Sequence, residues 1–368
     1  MDSTIFNNWQ YRLLGVMGTL AISLGLLKPA IAQEYFDSYG LAAQSPALDL
    51  GAQPLGYPSG VISSVMQRDR VLRKALANAK HPLKVHPFRR GADMVALLAD
   101  RRLEAGLLGD MPTILAASTS SVWVVGLVKQ TSTALVALGV NQVADLAGKR
   151  IGYVEASSAH HTLLQGLISA GLRENQVKLV AMGVSDMPAA LARGDIDAFT
   201  AWEPAPTIAL AQNARNHVIF RGLSSDYFVI GQDFAKREPQ LARHLVAGFK
   251  RTIVWMRLSK ANVDQAARWA MADTEAFSGK PSALTAVQIA NITRREILEV
   301  PSAPVVLMNP GAPVLKAEFE FLSRLSKLPP AAQWLNLKNA LDYDGLAMVL
   351  ADPVGFKLRT FDYDDVSP

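Results

Sequence analysis

The sequence contains no cysteine. That excludes a disulfide framework, a thiol nucleophile and a cysteine-based metal site. Histidine is scarce, with 6 in 368 residues, and the adjacent pair His160-His161 lacks the i, i+4 spacing of helical metal ligands. Charge is modest: 19% of residues are charged and the formal net charge is +5. The Lys and Arg residues are scattered, with no basic block interleaved with aromatics, which argues against a nucleic-acid partner. No nucleophile–base pair, metal cluster or Gly-rich phosphate loop stands out, so neither an enzyme nor a bound cofactor is expected. No apolar run reaches the roughly 20 residues that a bilayer span requires.

Half of the residues are hydrophobic, enough for two modest domains with packed cores. At the N-terminus, Arg12 precedes an uncharged apolar stretch over 13–27, followed by Ala30-Ile31-Ala32. A short apolar core before a small-x-small site predicts an export signal over 1–32, cleaved near Ala32, and a periplasmic location. A retained N-terminal anchor is the competing reading.

From residue 48 the chain alternates short apolar runs with helical patterns. Strands are expected at 48–52, 83–87, 103–108 and 122–129, with helices at 61–78 and 92–100 between them. The rhythm restarts at 149–154 and continues through strands at 177–181 and 196–201. Such βαβ alternation predicts an α/β fold with largely parallel strands. Beyond Pro239 the pattern is helical, over 241–258 and 262–272, and from Pro329 it is less regular.

An internal repeat runs through this pattern. Asp93-Met94-Val95-Ala96-Leu97-Leu98-Ala99 matches Asp186-Met187-Pro188-Ala189-Ala190-Leu191-Ala192. The same offset pairs Leu103-Glu104-Ala105 with Ile196-Asp197-Ala198, and Gly109-Asp110 with Trp202-Glu203. Two similar α/β units imply a cleft between them. Ligands of open α/β sheets bind beyond the carboxyl ends of strands, which points to the loops at Gln53, Gly109 to Pro112, Glu155 to His161, and Trp202 to Pro204.

Ser157-Ser158-Ala159-His160-His161 follows a strand and opens a helix whose apolar face carries Leu163, Leu164, Leu167 and Ile168. The serines either cap that helix or, with His160 and free backbone N–H groups, surround an anion. Adjacent histidines cannot face one ligand, so His160 takes the binding role and His161 a supporting or solvated one. Tyr57-Pro58-Ser59-Gly60 offers a second helix N-terminus. Trp202 either packs in the core or walls an aliphatic ligand portion. Asp110 and Glu203 occupy equivalent places; Asp110 reads as structural and Glu203 as a partner for a ligand amine.

These residues resemble a known family. Gly109-Asp110-Met111-Pro112, 144–151, Ser157-Ser158-Ala159-His160, and 194–198 running into Trp202-Glu203-Pro204 are similar to motifs of the substrate-binding proteins of importers for aliphatic sulfonates, taurine and nitrate. The resemblance covers roughly 48–272. It implies a type II periplasmic-binding-protein fold, with two α/β lobes joined by crossover strands near 132–138 and 227–230 around a central cleft. Lobe 1 is then 48–134 with 229–328, lobe 2 is 135–228, and 329–368 is a tail packing on lobe 1. The implied ligand-binding residues are Gln53, Gly109, Asp110, Met111, Ser132, Ser157, Ser158, His160, Trp202 and Glu203. The implied ligand is a small organic anion or zwitterion, and the implied partners are an ABC permease and its ATPase. The binding protein itself is expected to be a monomer. Nitrate, an aromatic carboxylate, a thiamine-precursor pyrimidine and a ligand-sensing role are the alternatives.

Overall fold

The structure is a computed structural model that describes residues 41–43, 45–299, 313–341 and 343–365. The expected export signal lies outside these residues. All of the named strands and helices fall in the compact unit Ala43–Pro368.

Eight strands form one sheet: β1 (Leu48–Ala52), β2 (Leu83–Pro87), β3 (Ala105–Gly109), β4 (Val122–Leu138), β5 (Arg150–Tyr153), β6 (Lys178–Ala181), β7 (Ala198–Ala201) and β8 (Asn216–Gly231), in the order β2-β1-β3-β8-β4-β7-β5-β6. β1 pairs in parallel with β2 and β3, and β5 pairs in parallel with β6 and β7. Each half therefore has the same local order, with its first strand in the middle. The repeat read from the sequence is thus a repeat of topology: the helix Ala92–Ala99 and β3 correspond to the helix Met187–Arg193 and β7.

Between the two halves runs an antiparallel ribbon. β4 and β8 pair from Val122↔Gly231 to Leu138↔Asn216. β3 flanks the ribbon at one end and β7 at the other. At about 3.4 Å per residue, the 17 residues of β4 reach across both halves. The expected strand at 122–129 and the expected crossover at 132–138 are one continuous strand. The polar stretch Lys129 to Thr133 disguises it, because Thr131 and Thr133 are buried against helices while bonding through their hydroxyls.

Alternation along β4 builds two cores, one on each face of the sheet. Ala134 and Val136 pack with Met187, Leu191 and Phe199. Leu135 and Ala137 pack with Ile151, Leu163 and Leu167. On the other side of the ribbon, β1 is buried throughout, as a strand covered on both faces must be. The helices Pro239–Leu258 and Lys260–Ser278 pack there against the helix Ser59–Arg68.

Two local expectations need correction. The helix expected over 61–78 is two helices, Ser59–Arg68 and Arg70–Asn78, broken at Asp69. Asp69 is extended, its carboxylate accepts from the Leu72 N–H at 3.0 Å, and it forms a fully buried ion pair with Arg251 at 2.6 Å. The segment after Pro329 contains the helices Trp334–Asn339 and Gly345–Ala351, with Leu337 and Val349 fully buried. It docks onto the ribbon, where the Val124 N–H donates to the Ala340 carbonyl at 2.8 Å.

Candidate functional site

The helix Ser158–Ser169 rests on the ribbon through its smallest residues. A Cβ on Gly222 would overlap the Thr162 side chain, and one on Gly166 would lie 3.1 Å from the Phe220 ring. Glycine at both positions lets the helix approach until the Thr162 and Thr133 hydroxyls bond. Leu163 and Leu167 enter the core as expected, whereas Ile168 is 74% exposed.

The close approach sets the helix N-terminus beside β8. Ser157 is the N-cap: its hydroxyl accepts from the His160 N–H at 3.2 Å and donates to the Val154 carbonyl at 2.7 Å. The N–H groups of the first turn ahead of His160 have no intrahelical acceptor. The Ser158 hydroxyl lies 3.4 Å from that of Ser224 on β8. Ala156 has a left-handed φ of 54°, and its N–H donates to Nδ1 of His160 at 3.3 Å. Nδ1 is therefore the acceptor, and burial lowers the pKa of the ring, so the neutral imidazole carries its proton on Nε2. That Nε2–H is buried and has no partner among the described residues. The ring is held between Tyr153, at 4.7 Å, and Phe321 of the helix Pro313–Arg324, at 5.4 Å. Phe321 also covers His161, at 4.8 Å.

One residue farther along β8 the chemistry changes sign. The Ser225 N–H donates to Asp110 at 3.2 Å, and the carboxylate also accepts from the Met111 N–H at 2.8 Å. Gly109 ends β3 and caps the helix Asp110–Ala117. Asp110 is buried, and desolvation pushes its carboxyl up to about 6. Glu318, one turn before Phe321, is buried beside it. Burial and the charge of Asp110 hold Glu318 well above the usual carboxylate range. The two carboxyls also share a hydrogen bond, the protonated Glu318 carboxyl donating to the Asp110 carboxylate, which lowers the pKa of the acceptor and raises that of the donor. The neighbouring Asp226 accepts from the Ser59 hydroxyl at 2.5 Å and lies 3.9 Å from Nζ of the buried Lys129. The second helix N-terminus expected at Tyr57 to Gly60 thus already faces an internal carboxylate.

The remaining expected residues are placed as follows. Gln53 Nε2 donates to the Leu107 carbonyl at 3.0 Å, bracing the loop after β1 against β3. That loop meets the loop after β7, where the Tyr57 N–H donates to the Glu203 carbonyl at 3.5 Å. Trp202 is half-buried. Glu203 is paired with Arg295 at 2.8 Å and accepts from the Thr207 N–H at 3.2 Å. Ser132 accepts from Arg221 at 3.1 Å in an exposed setting, away from the Thr131 and Thr133 hydroxyls. Ser157, Ser158, His160, Gly109, Asp110 and Met111 are therefore brought around Ser224 and Ser225, while Glu203 and Ser132 have partners of their own. Sequence reasoning missed Lys129, Ser224, Ser225, Asp226, Glu318 and Phe321. Ser224-Ser225-Asp226, breaking into an apolar strand, was the available signal.

Residues 111–259 match a family model described as NMT1/THI5 like. The chain is 29% identical over 182 residues to a putative aliphatic sulfonates-binding protein of Escherichia coli strain K12, covering 48% of this chain and 56% of that protein. It is 32% identical over 166 residues to the taurine-binding periplasmic protein of the same strain, covering 42% and 52%. The matched region thus spans about half the length of these curated relatives. The solved alkanesulfonate-binding protein SsuA of Xanthomonas axonopodis pv. citri, bound to MOPS, superposes with a TM-score of 0.60 at 21% identity, covering 80% of this chain and 99% of that one. The shared architecture is the type II periplasmic-binding-protein fold, with two α/β halves joined by the β4–β8 ribbon. In sequence and in fold, the chain is similar to the sulfonate- and taurine-binding proteins, as its motifs indicate.

Proposed function

We propose that this protein is the extracytoplasmic solute-binding component of an ABC importer, and that it captures a small aliphatic sulfonate. The observation that carries the reading is the His160 Nε2–H. A buried donor without an acceptor costs roughly 1–3 kcal/mol, so its retention is best understood if a ligand supplies the acceptor. It stands beside a helix N-terminus, where the macrodipole and free N–H groups favour a negative group. The Ser158 and Ser224 hydroxyls complete the donors around the sulfonate oxygens. The similarity to sulfonate- and taurine-binding proteins supports the same ligand class.

Lobe 1 comprises 48–134 and 229–328, and lobe 2 comprises 135–228, so that ligand binding closes a hinge at the ribbon. The closed form docks, as a monomer, on a permease driven by an ATPase. The signal at 1–32 directs export to the periplasm and is removed near Ala32. The ligand leaves unchanged.

Calorimetry with taurine, alkanesulfonates, nitrate and sulfate tests the reading. The expected result is one site per chain, with sulfonates bound more tightly than the inorganic anions. Replacing His160 by Ala should weaken every sulfonate by roughly tenfold. Failure of all sulfonates to bind the wild-type protein would overturn the assignment.

A further inference from the structure

We propose that Lys129 supplies the positive charge of the anion site, receiving the ligand's sulfonate on its ammonium group while Asp226 holds that group in place. This inference rests on the solute-binding function proposed above and names the residue that selects for ionic charge within it.

A sulfonate carries a full negative charge, and burying an unanswered charge costs far more than burying a neutral polar group. The donors gathered so far are all neutral. They are the Ser158 and Ser224 hydroxyls, the N–H groups of the helix N-terminus, and the His160 ring, whose pKa burial lowers. His161 is no different, since burial and the charge of Arg324 lower it too. Three nearby cations are engaged elsewhere. Arg295 is held by Glu203 at 2.8 Å and Glu296 at 3.4 Å, and Lys327 meets Glu155 at 3.2 Å at the surface. Arg221 bonds to Ser132 in an exposed setting. Lys129, by contrast, is only 2% exposed.

Strand geometry turns Lys129 toward the serines. In the ribbon Lys129 lies opposite Asp226 and Thr131 opposite Ser224, with no register shift between these pairs. Opposed residues of paired strands, and alternate residues along each strand, share a face. Lys129, Thr131, Ser224 and Asp226 thus form one polar row. The contacts above this row agree: Ser59 donates to Asp226, Ser158 meets Ser224, and Glu296 accepts from Thr131. Arg221, opposite Ala134, projects from the other face. Lys129 lies on the diagonal from Ser224, a separation of roughly 7–8 Å that a long side chain spans.

The ion pair that holds Lys129 leaves its donors open. Asp226 Oδ1 lies 3.9 Å from Nζ, beyond hydrogen-bond reach, and the other oxygen of Asp226 accepts from the Ser59 hydroxyl at 2.5 Å. An ammonium group has three donors, so it can take up a sulfonate oxygen and stay beside Asp226. Ser59 opens a helix of the first half and Ser158 one of the second. A headgroup on Lys129 therefore sits where the two halves converge.

Calorimetry with ethanesulfonate on the full protein tests this through two substitutions of opposite sign. Lys129→Met keeps the bulk of the side chain and removes its charge, and affinity should fall by roughly tenfold or more. Asp226→Asn removes the competing negative charge, and affinity should rise by roughly threefold or more. An ion pair that served the fold alone would give losses in both. Unchanged affinity in folded Lys129→Met, or a loss in folded Asp226→Asn, overturns the inference while the sulfonate function stands. A crystal structure of the wild-type protein with ethanesulfonate reads the same contact without a variant. Nζ of Lys129 should lie within about 3.2 Å of a sulfonate oxygen; a headgroup held away from Lys129 overturns the inference. If wild type binds no sulfonate, the function proposed above fails and the inference falls with it.

Discussion

Glu104 shows what burial does to one acid outside the site. It precedes β3, and its carboxylate accepts from the Asp49 N–H at 2.8 Å. Burial, with the nearby Asp49 charge, lifts its pKa from 4.5 to about 7. The folded state therefore holds a proton that the unfolded chain has lost between those values. The contribution to stability is present in full below pH 4.5 and is lost as pH rises to about 7, by about 3 kcal/mol at most. Glu104→Gln keeps an acceptor for Asp49 and removes the titration. Urea unfolding at pH 5 and pH 8 should show wild type losing about 2 kcal/mol more than the variant over that rise; parallel losses would refute it. At this scale the sequence was legible where the chemistry is local. Ser157 declares itself as a cap by its place before an apolar helix, and His160 by its phase on that helix. Glu318 does not, because its meaning arises only beside Asp110, far away in the chain.

At the scale of elements, the position of the helix Ser158–Ser169 depends on the absence of a side chain at Gly222. Gly222→Val forces its branched side chain against Thr162 and pushes the helix off the ribbon. Overpacking of this kind costs about 1–3 kcal/mol. A lowered melting temperature is expected, with weaker sulfonate binding, because Ser158 moves away from Ser224. Unchanged binding in a folded variant would show that the helix position does not matter. β1 and β2 were found to the residue, β1 as a short buried run and β2 as an edge strand in which Leu83, Val85 and Pro87 alternate with Lys84 and His86. β4 was read in two pieces because polar residues occupy its middle for reasons of packing between helices. The break at Asp69 was hidden because it depends on Arg251, which comes from another helix.

On the scale of the whole molecule, Arg251 ties the C-terminal segment to the first half. It pairs with Asp69 and donates to the Phe356 carbonyl at 3.1 Å. Arg251→Ala strands a buried carboxylate and frees that segment, for a loss of about 3–5 kcal/mol. Chemical denaturation measures it, and adding Asp69→Asn should restore part of the loss; a loss below 1 kcal/mol would sink the account. The repeat made the two-part plan legible, whereas the return of the chain to its starting half needed the family resemblance. That return governs how the protein emerges from the ribosome. β3 pairs on its ribbon side with β8, Leu107 against Phe228 and Ala105 against Ile230. Until the segment around residue 230 has been made, the early strands keep an open edge, while β5, β6 and β7 can already join β4. The part encoded second is thus free to assemble first, and a nascent chain cannot lock its opening half before most of it has been synthesised.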